Sequence, residues 1–232
     1  MAVRDPISIQ TFVTGMFQQN TYLVRDNATG ATALIDCGDG ISKRLKKPGT
    51  LKDGRLDMLL MTHTHLDHAW DIAAMKREFP KTPIYVGEQE LVLLRVLPQQ
   101  GSMLGLDIEL EAAPEPDVLV KDGAEFRLGE TSIKTIFTPG HTPGGICYLF
   151  DGGHCFVGDM LFEGAIGRTD LPGGDPRLMG PSLMRLMALP DDVRVYSGHG
   201  PVTTIGQERR TNPFILALAA GEDVFDRPRA GF

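Results

Sequence analysis

The segment "THTHLDH" at residues 62–68 places His63, His65, Asp67 and His68 within six positions, in a chain that has six histidines in all. In extended backbone, residues two apart point the same way, so His63 and His65 can converge on one ion while Asp67 and His68 turn toward a neighbouring position. The spacing suits two adjacent metals. Three more ligand-type residues follow apolar runs and lie in glycine-rich turns: His141 in "TPGHTPG", Asp159 in "FVGDML" and His199 in "YSGHGP". Glycines there let a backbone approach closely. Five of the six histidines thus fall at expected strand ends, and His154, inside an expected hairpin, is given no role. Imidazole and carboxylate donors without thiolate suit zinc, iron or manganese.

Such side chains must be held by ordered elements, and the hydrophobic pattern supplies them. "ISIQTFV", "TYLVRD" and "TALIDC" read as strands, and "LDMLLMT" at 56–62 as a buried strand. From Asp67 the period changes: Ile72, Met75 and Phe79 are at helical spacing, so the histidines fall on a turn between strand and helix. "PIYV" and "EQELVLLRVL" repeat strand then helix, and residues 98–117 read as a long surface loop. A second half follows, with strands "EFRLG", "TSIKTIFT", "GICYLF" and "HCFVGD", a helix around "PSLMRLMALP", and a strand "VRVYSG". Leu183, Met184, Leu186 and Met187 are expected on that helix's buried face. No linker or repeat separates the halves, which predicts layered α/β structure within one domain.

Composition narrows the partners. With 30 acids against 23 bases the formal charge of the 232 residues is -7, and no basic block suggests nucleic acid. No apolar run approaches a membrane span and "MAVRDPISIQ" has no signal-like core, so a cytoplasmic protein without a membrane partner is expected. Cys37, Cys147 and Cys155 lack CxxC spacing and read as buried free thiols in a reducing compartment. Oligomeric state is not legible.

In this order and at these intervals, "THTHLDH", "GHTPG", "GDMLF" and "GHG" resemble the metallo-β-lactamase superfamily over nearly the whole chain. The resemblance implies an α/β fold, a four-layer αββα sandwich carrying one or two metals, with residues 1–232 as a single domain. More narrowly, "MLGLD", "FEGAIGRTDLPGGD" and "GHGPVTTIGQERRTNPF" resemble the short bacterial branch of glyoxalase II, the hydroxyacylglutathione hydrolases. By that resemblance His63, His65 and His141 hold a first divalent metal, Asp67, His68 and His199 hold a second, and Asp159 bridges them. Asp36 in "LIDCGD" matches an aspartate that orients a ligand histidine. Zinc is the first expectation for both ions, with iron or manganese as alternatives.

A site of this kind implies hydrolysis. Metal-bound water has a pKa of about 7, so a bridging hydroxide can attack a carbonyl polarised by the first metal, with Asp67 aiming it. The resemblance implies an acylthiol substrate, S-D-lactoylglutathione or a relative. Zinc β-lactamases that use a cysteine ligand have it near Asp159, and homoserine-lactone hydrolases carry a tyrosine where this chain has Phe162, so both are disfavoured. Longer glyoxalase II enzymes grip the glutathione carboxylate with a lysine in the segment that here contributes Arg168, which is either that anchor or one half of a surface salt bridge. They also add a C-terminal helical domain, which is not expected here. Trp70 either walls the pocket or joins the core. The alternatives are a persulfide dioxygenase with one iron and a non-catalytic metal-binding scaffold; "GHGP" in place of that oxygenase's His-Asp favours two metals.

Overall fold

The computed structural model describes residues 5–222 and 224–225. Its first half forms a six-stranded sheet from β1 (Ile7–Thr14), β2 (Gln19–Asp26), β3 (Thr32–Ile35), β4 (Met58–Leu60), β5 (Ile84–Gly87) and β6 (Val118–Val120), in that spatial order. β1 to β3 pair antiparallel and β3 to β6 parallel. α1 (Ile41–Leu45), α2 (Ile72–Glu78), α3 (Leu91–Arg95) and α4 (Leu97–Met103) belong to the same half. The second half gives β7 (Glu125–Leu128), β8 (Thr131–Phe137), β9 (Ile146–Phe150), β10 (His154–Gly158), the small hairpin β11 (Leu161–Phe162) and β12 (Ala165–Ile166), then α5 (Pro176–Met187), β13 (Arg194–Ser197), β14 (Thr203–Thr204), α6 (Ile205–Thr211) and α7 (Pro213–Ala219). Its main sheet runs β14-β13-β10-β9-β8-β7.

Side-chain alternation builds the layers. Ala33, Ile35 and Leu60 face Ile133, Tyr148, Phe150 and Phe156 of the other sheet, while Leu34, Leu59 and Met61 face Ile41, Ile72, Met75 and Leu97 on the outer side. Cys147, Cys155, Val157 and Val195 pack on Met179, Leu183, Leu186, Ile205 and Ile215 in the same way. Strands buried on both faces read as continuous apolar runs, which is how β3 and β4 look. The result is the expected four-layer αββα sandwich. Among the described residues no helix is long and apolar enough to cross a membrane.

Several boundaries differ from expectation for identifiable reasons. The turn after β4 does not become helix until Ile72, because Cys37 N donates to His68 O and Asp71 N donates to Cys37 O, drawing the chain across the end of β3. Within the expected loop at 98–117 lies most of α4, whose inner face is Leu97, Gln100 and Gly101; a polar residue on the buried stripe hid the period. α5 starts at Pro176 rather than at Pro181, with the Asp175 side chain accepting from Arg177 N as its cap. Met184 is 43% exposed and leaves the buried face that Leu183, Leu186 and Met187 do form. Trp70 packs against the outer core of the first half.

Candidate metal centre

The donor residues come from strand exits of both sheets. His63, His65, Asp67 and His68 follow β4, whereas His141 follows β8, Asp159 follows β10 and His199 follows β13. Close approach is built in at Gly198, where any side chain would overlap Asp159 and His68. Gly158 has a φ of 54°, which turns the chain from β10 into Asp159.

Three sets of donor atoms each gather within 4.8 Å: His63 with His65 and His141, Asp67 with His68 and His199, and, linking these two groups, His63 with His68 and Asp159. Asp159 lies between them: its Oδ1 is 3.2 Å from His68 Nε2, and its Oδ2 is 3.7 Å from His141 Nε2 and 3.5 Å from His199 Nε2. His65 Nδ1 and His141 Nε2 are 2.9 Å apart, and Asp67 Oδ2 is 3.1 Å from His199 Nε2. Nε2 of His63, Nε2 of His68 and Oδ1 of Asp159 are buried without a hydrogen bond of good geometry among the described residues. Buried polar atoms are normally satisfied, so converging unsatisfied nitrogen and carboxylate donors fit divalent cations.

The far sides of three of the rings are fixed by the protein. His68 Nδ1 lies 2.8 Å from Asp36 Oδ2, His141 Nδ1 is 2.7 Å from the Arg168 carbonyl, and His65 Nε2 is 3.3 Å from the Pro172 carbonyl. Each contact makes that nitrogen a donor; in the neutral rings of His65 and His141 this leaves the other nitrogen as a lone pair facing the centre, and in His68 it aims Nε2 there. Charge is divided between the two groups. Burial, helped by neighbouring imidazoles, pushes His63 well below the usual histidine range and His141 down to about 4, and burial lowers His65 as well. Burial opposes charge on His68 and His199 too, but Asp159 and Asp67 overcome it, holding His68 well above its ordinary value and His199 at about 9. Against their own burial, Asp67 and Asp159 are held low chiefly by His68, with His199 adding to it.

The sequence-derived site residues thus come together, with Asp36 beside His68. Arg168 lines the same cavity, but its guanidinium makes two 3.0 Å bonds to Asp170. What it presents to the centre is its backbone carbonyl. His154 lies away from the centre, between Tyr196 Oη at 3.0 Å and Asp5 Oδ1 at 2.8 Å. Sequence reasoning missed Glu90. This fully buried carboxylate accepts from the Thr64 amide and hydroxyl, both at 2.9 Å, and from the Gly144 amide at 2.8 Å, and so ties the His63–His65 turn to the His141 turn. Burial raises its pKa. Its only signal was an acid beginning an otherwise apolar helix.

An αββα sandwich with histidine and aspartate donors from both sheets gathered at the strand exits defines a class of metalloproteins. The chain belongs to the metallo-β-lactamase superfamily, which it matches over residues 14–199. It is 36% identical over 211 residues to hydroxyacylglutathione hydrolase GloC of Haemophilus influenzae, covering 90% of this chain and 98% of that protein. Its fold is similar to that of TTHA1623 in a di-iron-bound form, with a TM-score of 0.78 and 35% identity over 88% of this chain and 99% of that one. The BLEG-1 B3 metallo-beta-lactamase gives 0.80 and 32% over 90% and 99%. Membership places the chain in a superfamily of metallo-hydrolases and related metalloenzymes, and its gathered histidines and aspartates are donors of the kind that hold divalent metals.

Proposed function

We propose that the chain is a binuclear metal-dependent thioesterase of the glyoxalase II type, cleaving S-D-lactoylglutathione or a related acylthiol. The observation that carries this reading is the pair of donor groups flanking Asp159 at the floor of one cavity. His63, His65 and His141 would hold one cation and Asp67, His68 and His199 the other, with Asp159 within reach of both. Divalent cations held by such donors lower the pKa of water to about 7 and polarise an acyl carbonyl. Because the two groups draw on both sheets, the reading treats residues 1–232 as one working domain.

The chain's own residues do the rest. Burial keeps His63, His65 and His141 neutral, so their lone pairs face the site. Asp36 and the Arg168 carbonyl lock the rings of His68 and His141. Asp67, ionised despite its burial, accepts a hydrogen bond from the attacking water and aims it at the carbonyl. A thiol with a pKa of about 8.5 leaves near neutral pH without a dedicated proton donor, which suits thioesters better than amides. His199, close to both Asp67 and Asp159, supports two ions over the single ion of an iron dioxygenase. The buried thiols of Cys37, Cys147 and Cys155 support a reducing, cytoplasmic setting.

The test is thiol release from a thioester panel by the metal-loaded protein with oxygen excluded. Undiminished turnover is expected. Release that requires oxygen would transfer the assignment to the dioxygenase, and no release with or without oxygen would overturn the thioesterase.

A further inference from the structure

The cavity over the metal centre has a volume of about 500 Å³, within the range of small-molecule sites. Apart from the centre's own histidines and aspartates, its wall is largely hydrocarbon, built from Phe17, Leu104, Leu106, Phe162, Ile166 and Leu171 among others. The remaining polar side chains on the wall are Gln100 and Arg168, and both are committed elsewhere. Gln100 donates its amide hydrogens to the carbonyls of Thr64 at 2.9 Å and Leu93 at 3.1 Å. The Arg168 fork is filled by Asp170, so a substrate carboxylate could only exchange one exposed ion pair for another, with little net gain.

We propose that this pocket selects its substrate by an uncharged hydrocarbon group beside the scissile thioester, an aliphatic chain or an aromatic ring, and takes little recognition from charges on the thiol carrier. The proposal rests on the thioesterase reading and deepens it. Burying hydrocarbon against hydrocarbon is the interaction the wall offers, and each added methylene is worth about a fourfold gain while room remains. A glutathione carrier would bring two carboxylates to a wall on which, among the described residues, no side-chain cation is uncommitted.

Two series test this on the metal-loaded protein. In the first, acetyl, butanoyl and hexanoyl groups are carried on N-acetylcysteamine and, in parallel, on glutathione; in the second, an acetyl group is carried on alkyl thiols of rising length. We expect kcat/KM to climb about fourfold per methylene in at least one series, the steeper one showing which side of the bond lies on the wall. The two carriers should agree within about threefold for the same acyl group, where a charge-assisted contact would give more. Leu104→Asp, at a partly exposed position, should lower hexanoyl turnover about tenfold and acetyl turnover less than threefold. Flat chain-length profiles, or a glutathione preference above about tenfold, would overturn the proposal. If no thioester is cleaved, the thioesterase reading fails, and calorimetry with uncleavable thioethers decides the pocket separately. S-hexyl-N-acetylcysteamine should then bind at least about tenfold tighter than the S-methyl compound and no weaker than S-hexylglutathione; equal binding of hexyl and methyl would overturn the hydrocarbon site.

Discussion

Asp36 Oδ2 lies 2.8 Å from His68 Nδ1, and the same carboxylate accepts from the Thr62 amide at 2.7 Å and the Thr62 hydroxyl at 2.8 Å. One side chain at the exit of β3 thereby sets both the start of the His63–His65 turn and the ring of His68. It does so from a φ of 59°, a left-handed conformation that costs a non-glycine residue about 1 kcal/mol or more.

For Asp36→Asn, an amide must turn its NH2 either toward the Thr62 donors or toward His68 Nδ1, and the second choice drives the ring proton onto Nε2. Affinity for the second ion should fall by about 10-fold to 100-fold while the first is retained. Chelator titration measures both, and an unchanged second affinity would remove the orienting role.

Asp159 faces both donor groups, whereas Asp67 faces one. Asp159→Ala should therefore be the more damaging, since without it two dications a few ångströms apart lose the negative charge between them. The second ion should be lost first, and turnover should drop at least about tenfold further than in Asp67→Ala. Retention of both ions by Asp159→Ala would show that the carboxylate is not shared.

Glu90 receives three donors from two ligand-bearing turns, and Gln would replace one acceptor with an NH2 facing a backbone N–H. Glu90→Gln should cost about 1–3 kcal/mol, lowering Tm by about 2–4 °C for each kcal/mol. The exposed Glu88→Gln, a control two residues away, should stay within about 0.5 kcal/mol. Equal Tm values for the two variants would deny Glu90 its role as a strap.

Protons and cations compete at the second group. In the metal-free protein His199 has its pKa raised from 6.5 to about 9, so it stabilises the fold fully below pH 6.5 and that contribution is lost as pH rises through about 9. His141, lowered from 6.5 to about 4, acts oppositely, withdrawing stability as pH falls from 6.5 toward 4. A cation taking the place of the His199 proton must release it. Metal binding at pH 7 should thus liberate protons, seen as a dependence of the calorimetric heat on buffer ionisation enthalpy, and second-ion affinity should grow up to about pH 9. Binding without proton release would contradict the charge division between the two groups.

The layers and the donor set were legible because both rest on local pattern. Ala33, Leu34 and Ile35 alternate between two buried faces, and His63, His65, His141, Asp159 and His199 each follow an apolar run. What escaped was long-range. Nothing near Glu90 in the chain reveals that Thr64 and Gly144 meet at its carboxylate, and Gln100 broke the apolar stripe of α4 because its amide serves the Thr64 carbonyl. In the sequence Arg168 carries two readings, an anchor and a surface salt bridge, and a contact decides which pairing is seen. Its position in the cavity wall followed from the motif, but Asp170, two residues on, fills the guanidinium fork, and it is the backbone carbonyl that reaches His141.

Metal stoichiometry against turnover bears most directly on the binuclear thioesterase. Metal-free protein is titrated with a divalent ion, occupancy is read by native mass spectrometry, and thioester cleavage is followed in the same samples. Two ions per chain are expected, with turnover appearing in proportion to the second. Full turnover at one ion per chain would contradict a centre in which Asp67, His68 and His199 hold an ion of their own.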